Sequence, residues 1–277
     1  MQNNRIHFLA NRTCSQMMSF IIETAGKIIV IDGGTAGDAP HLLATLQKLT
    51  GAKVPHVDAW FFSHDHSDHV GALVQILRTQ PDALTIGTAY YNFPSVQYLK
   101  RIEPGSAGEV DEFRAVQPML WPITETITQG DSYTIGEATF DVLYTADPAK
   151  TRHGINESTA VLRMTLAGQT VLFLGDLGIE AGYKLLDMYG DDLKSDFVQM
   201  AHHGQNGVDK PVYEAIAPKG CFWCTPDWLW DNDAGRGYDT HVFKTVIVRG
   251  WMSELGVKRH FVIKDGDHTV TLPYAFE

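Results

Sequence analysis

Between His64 and His69 the chain sets three histidines and two aspartates in six residues, directly behind the apolar run VDAWFF. Few folds can accept this. An apolar run of that length reads as a buried strand, and DHVGALVQILRTQ behind it carries apolar residues at helical spacing. Titratable groups at the end of a buried strand are costly unless something pairs or ligates them. His64 and His66 are two apart, and in extended chain such residues point the same way. Asp68 and His69 are adjacent where the helix starts, so they face a different point. The spacing predicts two neighbouring sites, one for each pair. Imidazole and carboxylate suit zinc and similar divalent ions. Two such ions about 3.5–4 Å apart would clamp both oxygens of a displacement reaction. At this chain's His and Asp frequencies, HxHxDH arises by chance on the order of once in a thousand such chains.

Three other apolar strands end alike. KIIVIDGG ends on Asp32-Gly33-Gly34, VLFLGD on Gly175-Asp176, and FVQMAHHG on His202-His203-Gly204. Ligand types gathered at strand ends make a metal site supported by rigid elements. After an HxHxDH, Asp176 becomes a candidate bridging carboxylate.

Strands and helices alternate around these motifs. MSFIIET and KIIVID form a strand pair around the turn at Ala25-Gly26-Lys27, and GDAPHLLATLQKLTG is a helix closed by glycine. Residues from about 88 to 130 read as an irregular insertion with one or two helices and an aromatic loop around Tyr90, Tyr91 and Phe93. The pattern then restarts with several strands, and helices are expected over IEAGYKLLDMYG, KPVYEAIAP and HVFKTVIVRGWMSELG. Both halves run strands, then helices, which predicts one domain over residues 1–277 built from two similar halves. The CxxC of GCFWCT lies in a strand, where residues three apart face opposite sides. Both cysteines are therefore expected in the core.

The formal charge of −11 disfavours tight binding to long nucleic acid. It fits a small molecule or a short phosphoester better. No apolar stretch reaches the length of a membrane span, and MQNNRIHFLANRT has no secretory core, so a cytoplasmic location is expected. Trp228, Trp230 and Tyr238 lie in a loop after a strand. They could stack on a base or sugar, or simply pin the loop to the core. Oligomeric state is not legible.

In their order, SHDHSDHVGAL, IDGG, FLGD and AHHG resemble the metallo-β-lactamase-fold metallohydrolase superfamily. The resemblance implies an α/β (α+β) fold, an αββα sandwich of two mixed β-sheets with helices on the outer faces. It would put His64 and His66 on a first metal. Asp68, His69 and a late histidine would hold a second, with Asp176 bridging and Asp32 orienting the histidines from behind. Within AHHG, His202 is preferred as that ligand and His203 as its neighbour. The implied cofactor is Zn2+, as one or two ions, with Mn2+ or Fe as alternatives. Many members carry a further histidine before the strand that precedes the GD strand. Here, in KTRHGINESTAVLRM, Asn156 falls at that place and His153 three residues earlier. Either His153 reaches in, or the first metal is weak or absent. GDSYTIGEATFDVLYT, NESTAVLRM, LFLGD, AHHG and the later YDTH look like the hydrolase domain of bacterial competence DNA-uptake channel proteins and its soluble relatives. His241, in GYDTHV, only half matches a motif of that group.

The implied chemistry is a metal-dependent hydrolysis by metal-bound hydroxide, most naturally of a phosphoester or phosphodiester. Asp68 or Asp176 would hold the hydroxide, and His202 or His203 would stabilise charge on the oxygens. The rival readings are hydrolysis of a lactone, thioester or β-lactam carbonyl, and a non-catalytic metal-binding or di-iron redox member. Redox relatives usually place Glu where this chain has His66.

Overall fold

The computed structural model describes residues 4–145 and 154–276. Fourteen strands run in chain order as β1 (Arg5–Phe8), β2 (Ser19–Thr24), β3 (Lys27–Asp32), β4 (His56–Phe61), β5 (Thr85–Tyr91), β6 (Thr124–Thr126), β7 (Ser132–Ile135), β8 (Ala138–Tyr144), β9 (Val161–Leu166), β10 (Gln169–Phe173), β11 (Phe197–Gln199), β12 (Gly220–Trp223), β13 (Arg259–Val262) and β14 (His268–Thr271). The helices are α1 (Ala39–Thr50), α2 (Ser67–Thr79), α3 (Val96–Ile102), α4 (Ala107–Leu120), α5 (Ile179–Tyr189), α6 (Lys210–Ile216), α7 (Asp227–Trp230) and α8 (Thr245–Glu254).

The strands form two seven-stranded mixed sheets, ordered β14-β1-β2-β3-β4-β5-β6 and β13-β12-β11-β10-β9-β8-β7. Each is antiparallel up to a central strand, β3 or β10, and parallel beyond it. The halves match even in their turns. The β2–β3 hairpin turns on Ala25-Gly26 and β9–β10 on Ala167-Gly168, all four with positive φ, the signature of the two-residue turn that suits twisted strands. Asp32 ends β3 and Asp176 follows β10, so the two carboxylates occupy equivalent places. The expected αββα sandwich is the fold.

Three apolar clusters fill its three interfaces. Phe8, Phe20, Phe173 and Phe222 pack between the sheets in stacked and edge-on contacts. Each such ring, fully buried, contributes about 1.5–3 kcal/mol relative to exposure. A second cluster joins the first sheet to α1, α2 and α4, and a third joins the second sheet to α5, α6 and α8. Cys221 lies in that third cluster and Cys224 between the sheets, on opposite faces as their spacing requires.

Two expectations are revised. The segment from 88 to 130 holds the helices expected there, but as a two-helix crossover between the end of β5 and its parallel neighbour β6 rather than as an irregular insertion. The aromatics of its expected loop pack on the core: Tyr91 and Phe93 on Phe62 and Phe113, and Tyr90 on Phe61. The last long helix begins at Thr245 rather than His241. The His241 and Phe243 carbonyls both accept from Asn232 Nδ2, at 3.1 and 2.8 Å, and so are held outside the helical ladder. In the aromatic loop, Trp230 packs edge-on against Trp223, Trp228 donates to the Cys14 carbonyl, and Tyr238 is exposed.

Candidate metal centre

The C-terminal ends of β3, β4, β10 and β11 bring together His64, His66, Asp68, His69, Asp176 and His203. Asp68, His69, Asp176 and His203 form one group, and His64, His66 and Asp176 another, each with ligand atoms within 4.8 Å of one another. Asp176 belongs to both.

Local backbone sets these positions. His66 is the extended residue before α2, and Asp68 and His69 lie in the first turn. There the helix end favours the Asp68 carboxylate. Gly175 has φ +51, and a Cβ on it would lie 2.6 Å from Thr159 Cγ2 and 2.9 Å from Ser63 Cβ, so only glycine fits beneath Asp176. Gln199, at the end of β11, clamps both loops: its Oε1 accepts from Gly175 N and its Nε2 donates to the Gly175 and Met200 carbonyls. His202 and His203 both have left-handed backbone, φ 51 and 55, and Gly204 follows at φ 78. Strained backbone of this kind persists only where surroundings enforce it, and it concentrates at functional sites.

Hydrogen bonds select the tautomers. His69 Nδ1 donates to Asp32 Oδ2 at 2.7 Å, which leaves Nε2 facing Asp176 Oδ1 at 3.2 Å. Asp32 also accepts from Ser63 N and Oγ, at 2.8 and 2.7 Å. With its proton on Asp32, Ser63 Oγ accepts from His64 Nδ1 at 3.0 Å, which frees His64 Nε2. His64 Nε2 and His66 Nδ1 then lie 3.1 Å apart. His203 Nδ1 donates to the Cys224 carbonyl at 3.0 Å, and its Nε2 stands 3.1 Å from Asp68 Oδ2 and 3.3 Å from Asp176 Oδ2.

The expected preference within AHHG is therefore reversed: His203, not His202, enters the group with Asp68 and His69. Consecutive left-handed residues send the two rings to different partners. His202 turns the other way, its Nε2 3.3 Å from Asn156 Nδ2 and 3.8 Å from Asp176 Oδ2. Asn156 thus meets His202, which in turn stands beside the shared Asp176. His241 joins neither group; it stacks on Phe243 at 4.1 Å. His153 lies outside the described residues.

The electrostatics fit a cation. Burial alone would lower the pKa of His69 and His203, but Asp176 and its neighbouring carboxylates hold both well above the usual imidazole value. Burial would raise Asp68 and Asp176, yet the surrounding imidazoles hold both well below the carboxylate range. Burial, reinforced by His69, keeps His64 neutral, as a ligand must be. His69 Nε2, His203 Nε2 and Asp176 Oδ1 are buried without a hydrogen-bond partner. Orphaned polar atoms are rare in native interiors. Here they are the atoms that a divalent ion would satisfy, and the imidazole–carboxylate donor set suits one.

Three further residues escape the motif reading. Asp65, between the two histidines, is buried; desolvation lifts its pKa to about 6 against the Arg114 guanidinium 3.1 Å away. Ser63 is the hub described above, visible in sequence only as the residue before the motif. Glu103, behind α3, reaches His66 from the crossover, and the only sequence signal is an acidic residue at a helix end. A cavity of about 760 Å3 bordered by Lys27, His56 and Asp58 lies at the opposite ends of β3 and β4 and takes no part in this centre.

The sequence profile of the Metallo-beta-lactamase superfamily matches residues 12–210. No functionally curated protein matches the chain. Among solved structures, the metallo-β-lactamase-fold protein YhfI from Bacillus subtilis is similar at 13% identity and TM-score 0.56, over 97% of this chain and 100% of that one. CmlA, a diiron β-hydroxylase from Streptomyces venezuelae, is similar at 12% identity and TM-score 0.58, over 98% of this chain but 55% of its own. A subclass B3 metallo-β-lactamase with an active-site glutamic acid is similar at 14% identity and TM-score 0.51, over 77% and 84% of the two chains. At these identities the likeness is one of fold. Profile, sandwich and strand-end ligands agree, and the chain belongs to the metallo-β-lactamase superfamily.

Proposed function

We propose that this protein is a metal-dependent hydrolase of a small or short phosphoester or phosphodiester. The observation that carries the reading is one buried carboxylate, Asp176, shared by two ligand groups, in one of which the buried imidazole nitrogens His69 Nε2 and His203 Nε2 have no hydrogen-bond partner. Divalent ions held by such a set act as Lewis acids and make water acidic enough to supply hydroxide near neutral pH. Asp68 and Asp176 would help hold such an ion, since both carboxylates stand beside His203 Nε2, at 3.1 and 3.3 Å. Asp32 fixes the His69 tautomer from behind, as outer partners of metal ligands commonly do. His202, 22% exposed, stands beside Asp176, with its Nε2 accepting from Asn156 Nδ2. The phosphoester preference rests on the resemblance to the hydrolase domain of competence DNA-uptake channel proteins. The net charge of −11 favours a short substrate over a long polyanion. His66 argues against iron redox chemistry.

Purified protein loaded with Zn2+ or Mn2+ is expected to hydrolyse bis(p-nitrophenyl) phosphate faster than nitrocefin or a homoserine lactone. Lactone turnover without phosphodiester turnover would transfer the reading to a carbonyl substrate. Under a tenth of an equivalent of bound transition metal after reconstitution would end it.

A further inference from the structure

His66 is the one proposed ligand whose orienting partner comes from the crossover rather than from the strand ends. Glu103 follows α3, and its carboxylate is fixed on several sides. Oε1 accepts from Ser106 Oγ and Oε2 from the Ile155 amide, both at 2.8 Å. Residue 154 is glycine, and a Cβ there would overlap Glu103 Oε2. So anchored, Glu103 Oε1 stands 3.5 Å from His66 Nε2. The other ring nitrogen, Nδ1, faces His64 Nε2 at 3.1 Å.

We propose that Glu103 is a positioning residue for the first metal group: it keeps the His66 proton on Nε2, so that the Nδ1 lone pair points at the ion. A neutral imidazole carries one N–H and one acceptor, so a carboxylate at Nε2 leaves Nδ1 as the ligand atom. The same carboxylate ties the His66 loop to the turn that carries Asn156. It thereby stiffens a site where Asn156 falls at the position that carries a further histidine in many superfamily members. Tyr98, Leu99 and Val110 of α3 and α4 pack on Ile155, which places the crossover against that turn independently. The inference rests on the reading of His64, His66 and Asp176 as a metal group, but not on any substrate.

The test uses the full chain, stripped with chelator and titrated with Zn2+ and Co2+ by calorimetry and by Co2+ absorption. Wild type, Glu103→Gln and Glu103→Ala are compared, and 15N shifts of the His66 ring are read in the metal-free state. Glu103→Ala is expected to weaken one class of site by about 10–100-fold and to leave the other unchanged. Glu103→Gln, whose amide oxygen still accepts from Nε2–H, should restore most of that affinity. The wild-type ring should carry its proton on Nε2. Unchanged affinity in both classes for Glu103→Ala would overturn the role, as would a glutamine variant no better than alanine. If the alanine variant does not fold, the wild-type tautomer and the glutamine titration decide. A wild-type chain that takes up no ion refutes the hydrolase reading as well, whereas normal uptake untouched by Glu103→Ala refutes only the positioning role.

Discussion

Replacing each histidine of AHHG by alanine separates the two roles that geometry gives them. His203 is fully buried, and its Nδ1–H is the partner of the Cys224 carbonyl. Truncating a large buried side chain costs about 2–5 kcal/mol, and stranding a buried carbonyl costs about 1–3 kcal/mol. Partial collapse makes the sum smaller than its parts, so about 3–4 kcal/mol is expected for His203→Ala in chelator, a fall in Tm on the order of 10 °C. His202 is 22% exposed, with Asn156 as its side-chain hydrogen-bond contact, and its truncation should cost under about 1 kcal/mol. Its backbone, at φ 51, carries the left-handed penalty of about 1–2 kcal/mol that glycine escapes. His202→Gly should therefore match or exceed His202→Ala in stability. Urea unfolding measures these differences, and Zn2+ calorimetry measures the sites. His203→Ala should lose the site that contains Asp68 and His69, and His202→Ala should keep it. If His202→Ala destroys that site while His203→Ala spares it, the assignment from tautomers and burial is wrong.

Asp68→Ala should lower hydrolysis about a thousandfold or more while shifting unfolding by less than about 1 kcal/mol, because it removes a ligand at a helix start rather than core volume; wild-type turnover in a kinetic assay would place the chemistry elsewhere. Arg114→Met strands the buried Asp65 carboxylate and should destabilise the fold by about 3 kcal/mol at neutral pH. Because burial raises the folded pKa of Asp65 to about 6, above its unfolded value, its contribution to stability is lost as pH rises through 6. Arg114 opposes that shift, so its removal should hurt more at pH 8 than at pH 5; urea titrations showing a pH-independent loss would contradict this.

Much of the centre was legible because its residues follow strands in short, local motifs. The HxHxDH run, Asp32 and Asp176 each sit directly behind an apolar run, and the register of a strand end carries them inward. The histidine choice was not legible, since two successive left-handed residues, not a strand register, send the two rings to their different partners. Nor was Glu103, which stands 37 residues beyond His66 in the chain and lies in no motif. Asn232 shortened the last helix through two side-chain hydrogen bonds that no propensity reveals. The aromatic segment looked irregular because Tyr91 and Phe93 serve a core formed with Phe62, just past the end of β4.

The ligands come from both sheets. His64, His66, Asp68 and His69 lie beyond β4 of the first, and Asp176 and His203 beyond β10 and β11 of the second. An ion bound here is thus a fastener across the sandwich, and its binding free energy adds to the docking of one half on the other. Before the halves meet, neither group can offer more than two of its ligands. Tight ion uptake during refolding should therefore lag the formation of either sheet and mark their union.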